Sequence, residues 1–169
     1  MEHSYEYRLN NVYLRPLQHS DIEYLRLWRN DPNNTKFLNQ IPFITEEMQE
    51  NWYKRYLDNK EELCFAIVED SVLHRIVGSL SLCNFGENSV EVGKVMVGDT
   101  AAHGKKVGAN ATKAAALLAH DMLGKHIIFL HVYEMNYSGV KAYSDAGFFI
   151  TDEHTNDQGQ KELTMQLIL

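Results

Sequence analysis

The segment from Ser89 to Val132 restricts this chain most. An alternating stretch, SVEVGKVMV at 89–97, reads as a strand with one glycine. It leads through a turn rich in glycine and lysine, His103–Gly108, into an alanine-rich helix predicted over Ala109–Leu123. Gly124 suits the C-cap of that helix, and the β-branched run Ile127–Val132 follows as a short buried strand. Strand, helix and strand in this order imply one parallel crossover inside a mixed sheet.

The remaining elements arrange themselves around that unit. Val12–Leu17 alternates apolar and polar residues and reads as a first strand, with Pro16 near its end. His19 or Ser20 opens a helix whose apolar face is Ile22, Leu25, Leu27 and Trp28, ending around Asn30-Asp31-Pro32. Phe37, Leu38, Ile41 and Phe43 are scattered through the polar segment that follows. Thr45 starts a second helix with a near capping box, and Trp52, Tyr53, Tyr56 and Leu57 form its buried stripe. Leu63–Val68 and Arg75–Leu82 are strands. Ser138–Ala146 is a short helix stopped by Gly147, and Phe148–Thr151 and Glu162–Leu167 are closing strands. The 169 residues carry no repeat and no linker, so a single domain over 1–169 is expected. The expected class is α/β (α+β), a mixed and mostly antiparallel sheet of about seven strands flanked by helices. The expected order is β-α-α-β-β-β-α-β-α-β-β.

Composition narrows function by exclusion. A net charge of -7 and a pI of about 5.6 argue against nucleic acid as a partner. Cys64 and Cys83 sit inside apolar runs and read as buried hydrophobes in a reducing compartment. The eight histidines are scattered with no HExxH, so no metal site is expected. The N-terminal MEHSYEYRLNN lacks a signal h-region, and no apolar stretch is long enough to span a bilayer. A cytoplasmic protein without a membrane partner is expected.

The turn at 103–108 also points toward chemistry. A helix N-terminus offers unpaired N–H groups and the positive end of a dipole. Glycines beside it let the backbone approach a phosphate, and Lys105 and Lys106 add charge. An ordinary strand-to-helix turn with solvated lysines fits the same residues. GxxxxGK[ST] and GxGxxG followed by an acidic residue are both absent, which argues against P-loop NTPases and Rossmann dehydrogenases.

The residues further on add weight to the phosphate-binding reading by resemblance. Asn136-Tyr137-Ser138-Gly139-Val140-Lys141-Ala142-Tyr143-Ser144-Asp145-Ala146-Gly147-Phe148 resembles the final motif of the GNAT acyltransferases, with its Asn, its Tyr seven residues on and its closing Gly-Phe. His103-Gly104-Lys105-Lys106-Val107-Gly108 is similar to their Gln/Arg-x-x-Gly-x-Gly/Ala signature. His103 replaces the Gln or Arg, Lys106 replaces the first glycine, and Gly108 is kept. A lysine is expected to hold an αR conformation there. Its Cβ would then crowd the pyrophosphate or its ammonium would help bind it, and the sequence leaves both open. Leu14-Arg15-Pro16-Leu17 and Leu27-Trp28-Arg29-Asn30-Asp31-Pro32, with Trp52 later, resemble the subgroup of ribosomal-protein and amino-sugar N-acetyltransferases.

The resemblance implies acetyl-CoA as cosubstrate and direct transfer to a primary amine within a ternary complex. The implied cofactor-binding residues are Met96, Val97, Gly98, His103, Gly104, Lys105, Lys106, Val107, Gly108, Ala109 and Asn136, the last of which also suits a helix N-cap. Glu91 is the candidate base, because period-2 alternation sets it opposite Val90 and Val92; a solvated or salt-bridged glutamate is the alternative. Tyr143 is the candidate acid for the leaving thiolate, or else a packing aromatic. The main chain at Val95–Gly98 is the expected oxyanion donor, with Gly93 marking a bulge or splay. Arg29, Asn30 and the loop to Pro42 would line the acceptor site. The acceptor expected first is a small-molecule or nucleotide-linked amino sugar, then a ribosomal-protein N-terminus. A coenzyme A sensor without activity and a homodimer both stay open.

Overall fold

The structure, a computed structural model, describes residues 2–35 and 42–169. Phe37, Leu38 and Ile41 of the polar segment, and most of the loop expected to line the acceptor site, lie outside those residues.

The chain opens with a hairpin. β1 (Tyr7–Leu9) and β2 (Val12–Pro16) pair across Asn10-Asn11, with Asn10 at φ 53. Asparagine tolerates that left-handed conformation better than most side chains. β1 was not expected, because its polar sequence hides the alternation. A 3-10 turn at His19–Asp21 then leads into α1 (Ile22–Asn30), and a single further turn, α2 (Pro32–Thr35), follows Asp31. The hydroxyl of Thr45 accepts the Met48 N–H at 3.2 Å and caps α3 (Glu46–Asp58).

β3 (Leu63–Glu69), β4 (Arg75–Cys83) and β5 (Ser89–Val97) form an antiparallel meander. α4 (Val107–Leu123) crosses over to β6 (Ile127–Tyr133), which runs parallel to β5. α4 ends on Gly124 at φ 65, the left-handed cap that the sequence signalled. After α5 (Tyr137–Asp145) come β7 (Phe149–Thr155) and β8 (Lys161–Ile168). β8 inserts between β6 and β7, giving eight strands in the order β1-β2-β3-β4-β5-β6-β8-β7. The eighth is the unexpected β1.

Each face of the sheet has its own cover. α4 buries Ala111, Ala114, Ala115, Ala116 and Ala119 completely against Val90, Val92, Ile128 and Leu130. Small side chains let this helix lie close to the strands. On the other face α1 and α3 bring Leu25 and Tyr56, with Trp28, Trp52 and Tyr53, over Cys64, Ala66 and Ile76. Leu27 is an exception to the expected face of α1, being half exposed. Among the described residues no helix is long and apolar enough to cross a membrane.

One buried charge braces the β3–β4 turn. Glu69 is fully buried, and its carboxylate accepts the backbone N–H groups of Ser71, Val72 and Leu73 and the Ser71 hydroxyl. The Leu73 N–H and the Ser71 hydroxyl lead the bonds that pull its pKa from 4.5 to about 2. A depressed carboxylate stabilises the fold fully above its unfolded value and loses that contribution as pH falls. The Glu69 share is therefore complete above pH 4.5 and disappears on acidification toward pH 2. Glu69→Ala, which orphans several buried N–H groups, is expected to cost about 2–4 kcal/mol in urea unfolding. Glu69→Gln is expected to flatten the loss of Tm between those pH values relative to wild type.

Candidate active site

A fork in the sheet defines the site. β5 and β6 pair only at Ser89–Ile127, Val90–Ile128 and Glu91–Phe129. Beyond that point β5 stays with β4 as far as Val97, and β6 stays with β8 as far as Tyr133. Among the described residues, the β5 edge past Glu91 therefore has no strand partner on the β6 side. Apart from the Gly93 and Val97 carbonyls, which Ser81 and His103 engage, its backbone groups on that side can pair with an extended ligand.

A bulge sits on that same stretch. Gly93 pairs opposite Ser81 and Met96 opposite Ser79, so Lys94 and Val95 together face Leu80. The left-handed residue is Lys94, at φ 55, one position after the glycine expected to mark the irregularity. Across the sheet, Gly78 makes room for it: a Cβ there would lie 2.1 Å from the Met96 carbonyl oxygen. Gly98, just past the strand, passes under Trp28, whose Cγ would be 2.2 Å from an added Cβ. Its N–H is engaged, donating to the Val77 carbonyl at 2.9 Å.

The turn after β5 closes onto α4. An imidazole nitrogen of His103 lies 3.0 Å from the Val97 carbonyl oxygen, so His103 folds back on the strand. Gly104 takes φ 75 with open space around it. The Lys105 carbonyl accepts from the Asn11 side chain at 3.1 Å, tying the turn to the β1–β2 hairpin. Lys106 is the N-cap of α4 at φ 57 and ψ 20, which is left-handed. This corrects the αR conformation expected of it: the signature position needs positive φ, and lysine meets the need at a steric cost of about 1–2 kcal/mol. Val107 and Ala109 send their side chains into the core. The first helical bond runs from the Asn110 N–H to the Lys106 carbonyl. The N–H groups of Val107, Gly108 and Ala109 precede it and point out of the helix end. With the dipole and two lysines, this turn fits the diphosphate of coenzyme A.

α5 stands beside that helix end. An added Cβ at Gly108 would meet the Ala142 Cβ at 3.9 Å, an ordinary contact. Tyr143, the next residue, is half-buried against the main core. Burial pushes its pKa up to about 12, and no described residue bonds its hydroxyl. Asn136 serves as the N-cap of α5, its Oδ1 accepting the Gly139 N–H at 3.1 Å.

On the opposite sheet face lies a cleft of about 90 Å³, lined by Leu25 and Arg29 of α1, Trp52 of α3, Cys64 of β3, Ser81 of β4 and Lys94 to Met96 of β5. Arg29 thus reaches the cleft. Asn30 does not line it; its amide clamps Ile44, donating to the carbonyl at 2.9 Å and accepting the N–H at 2.8 Å. Glu91 stands at the vertex of the fork, opposite Phe129, with Asn84 donating to its carboxylate at 2.5 Å. It shares the face of Cys83 and Ser81, away from the α4 core, but does not itself line the cleft. A wider hollow of about 550 Å³ lies near Leu123, at the end of α4 opposite the turn.

Sequence reasoning missed Glu62. It is buried, and the Lys94 ammonium donates to it at 2.6 Å. Burial alone would raise its pKa, but the bonds from Lys94, Ser81 and Cys64 leave it lowered. The only trace in the sequence is an acidic residue directly ahead of the apolar run Leu63–Val68.

Comparison with known proteins agrees with this geometry. The family model for the acetyltransferase (GNAT) domain matches residues 11–149. A spermidine N-acetyltransferase from Vibrio cholerae, in complex with CoA and spermine, superposes with a TM-score of 0.81 at 19% identity, covering 94% of this chain and 95% of that one. A GNAT-family acetyltransferase from Bacillus anthracis gives 0.81 at 16% identity, covering 96% of this chain and 98% of that one. An uncharacterised protein of Methanocaldococcus jannaschii is 22% identical over 141 residues, 82% of this chain. The chain spans only 28% of the length of that curated relative. Fork, bulge, helix end and family model converge: the chain belongs to the GNAT acetyltransferase family.

Proposed function

We propose that this protein acetylates a small aliphatic amine carrying more than one positive charge. The observation that carries the acyl-transfer part is the fork: an unpaired β5 edge beside the α4 N-terminus, with Tyr143 on the adjoining α5. The likeness to a spermidine N-acetyltransferase structure and the net charge of -7 support a cationic acceptor. Arg29 favours a second reading. It lines the cleft with no ion-pair partner among the described residues, as a phosphate-bearing acceptor such as a nucleotide-linked amino sugar would require. Acetylation of a protein N-terminus, expected from the ribosomal-type resemblance, is the remaining arm of the test.

In this reading the N–H groups of Val107, Gly108 and Ala109 hold the diphosphate, with Lys105 and Lys106 adding charge. The acyl donor, when bound, supplies an activated thioester. The acceptor nitrogen, with a pKa near about 10, must lose a proton before it attacks. Glu91 at the vertex takes that proton, through water, since it stands back from the cleft. Because the Gly98 N–H is engaged, the main chain at Val95–Val97 faces the developing oxyanion. Tyr143 stays protonated across the neutral range and donates to the departing thiolate.

Thiol release should be measured over a panel of polyamines, amino-sugar nucleotides and ribosomal-type peptides. Polyamines are expected to turn over fastest; preference for a sugar nucleotide would install the second reading. With the best acceptor, Tyr143→Phe is expected to lower kcat about a hundredfold while leaving coenzyme affinity within about twofold. Unchanged kcat would remove Tyr143 from the acid role. Lys106→Gly relieves a left-handed side chain and deletes a charge. Its stability is expected within about 1 kcal/mol of wild type. Its coenzyme A affinity should fall a few-fold at low salt and converge with wild type at high salt.

A further inference from the structure

Three carboxylates are buried among the described residues: Asp21, Glu62 and Glu69. Two are fixed in place. Asp21 accepts both Arg15 guanidinium nitrogens at 2.6 and 2.9 Å and the Gln18 N–H at 2.8 Å. Glu69 is wrapped by the backbone of its own turn. Glu62 is held differently. Its cation is Lys94, whose side chain is 58% exposed and springs from the left-handed bulge of β5. The other groups bonded to Glu62 are Ser81 and Cys64. Lys94, Ser81 and Cys64 all line the cleft.

A lysine ammonium is a compact point charge on a flexible stem. Moving Lys94 into water and leaving Glu62 bare would strand a buried charge, which is costly. Moving it out while another alkylammonium moves in leaves Glu62 paired and hydrates Lys94 fully. The exchange is balanced in charge and in hydrogen bonds. Trp52 beside the cleft supplies an apolar wall for a methylene chain.

We propose that Glu62 anchors one ammonium of the acceptor, and that Lys94 is a tethered stand-in occupying the anchor until the acceptor arrives. The inference rests on the amine-acetylation reading above and deepens it. It assigns the acceptor class as a flexible aliphatic diamine or longer polyamine. One nitrogen stays protonated at Glu62 while another is presented for acylation. Glu62 is here a positioning residue, and no bond is made or broken at it.

The test compares wild type, Glu62→Gln and Lys94→Met, each checked for fold by circular dichroism. Putrescine binding is measured by calorimetry, which needs no turnover, and acetylation is followed with putrescine and with butylamine. Glu62→Gln is expected to weaken putrescine binding and raise its KM by about tenfold or more, with butylamine little changed. Lys94→Met removes the competitor and is expected to tighten putrescine by roughly three- to tenfold. Unchanged diamine-to-monoamine selectivity in Glu62→Gln would overturn the proposal. So would a Lys94→Met variant that binds putrescine more weakly than wild type, the result expected if the pair only braces β3 against β5. Lys94→Met decides the matter even if Glu62→Gln fails to fold. Putrescine binding that follows Glu62 without acetylation of any amine would uphold the anchor and reject the acetylation reading instead.

Discussion

A parallel ladder only three residue pairs long is the constraint on which this molecule depends. Parallel neighbours require a crossover, and α4 is that crossover. Each of the two strands also has an antiparallel partner on its other side, β4 for β5 and β8 for β6. Those partners carry the strands apart once the short ladder ends, so each keeps its fold while losing a neighbour. The opening lies beside the N-terminus of α4 because the crossover helix must begin where β5 stops. An unpaired edge and a helix end with unpaired N–H groups thus arise from one piece of topology.

The two faces of the sheet divide the labour. Under α4 the packing is tight and aliphatic, with alanines against valines and isoleucines. Under α1 and α3 it is looser and aromatic, and polar groups come through from the strands: Ser81, Cys64, Lys94 and, behind them, Glu62. Burial beside carboxylates also keeps the nearby thiols protonated. Burial first, then the charges of Glu91 and Glu62, pushes Cys83 up to about 11. The cysteines therefore contribute shape and weak hydrogen bonding to this face, with no thiolate at neutral pH.

Two of the left-handed residues flank the opening. Lys94 and Lys106 both hold positive φ, one in the bulge and one at the cap of α4. Glycine would fit either position without steric cost. Lysine brings in exchange a charge at a defined point, one beside a buried carboxylate and the other beside a helix end that attracts anions. Such strain persists because neighbours over-determine it. The bulge is held by the β4 register and by Gly78, and the cap by Asn11 on Lys105 and by His103 on Val97.

Much of the fold was legible because periodicity and punctuation are local. Gly124, Gly147 and Thr45 stop or start helices through their own backbone or side-chain chemistry, and each does so where the sequence indicated. The β5–α4–β6 crossover and the turn at 103–108 were legible for the same reason. β1 was hidden because it pairs through backbone groups that polar side chains do not advertise. The conformation of Lys106 was misjudged, since a helix-friendly residue gives no sign of the φ its position imposes. Glu62 was overlooked because its importance lies in Lys94, thirty-two positions away in sequence yet in direct contact. By itself the chain determined its elements, their order and the glycine-bearing helix start. Only tertiary structure decided where β5 leaves β6, which residue bulges, and which carboxylate is buried with a partly exposed partner, because these depend on register between distant strands.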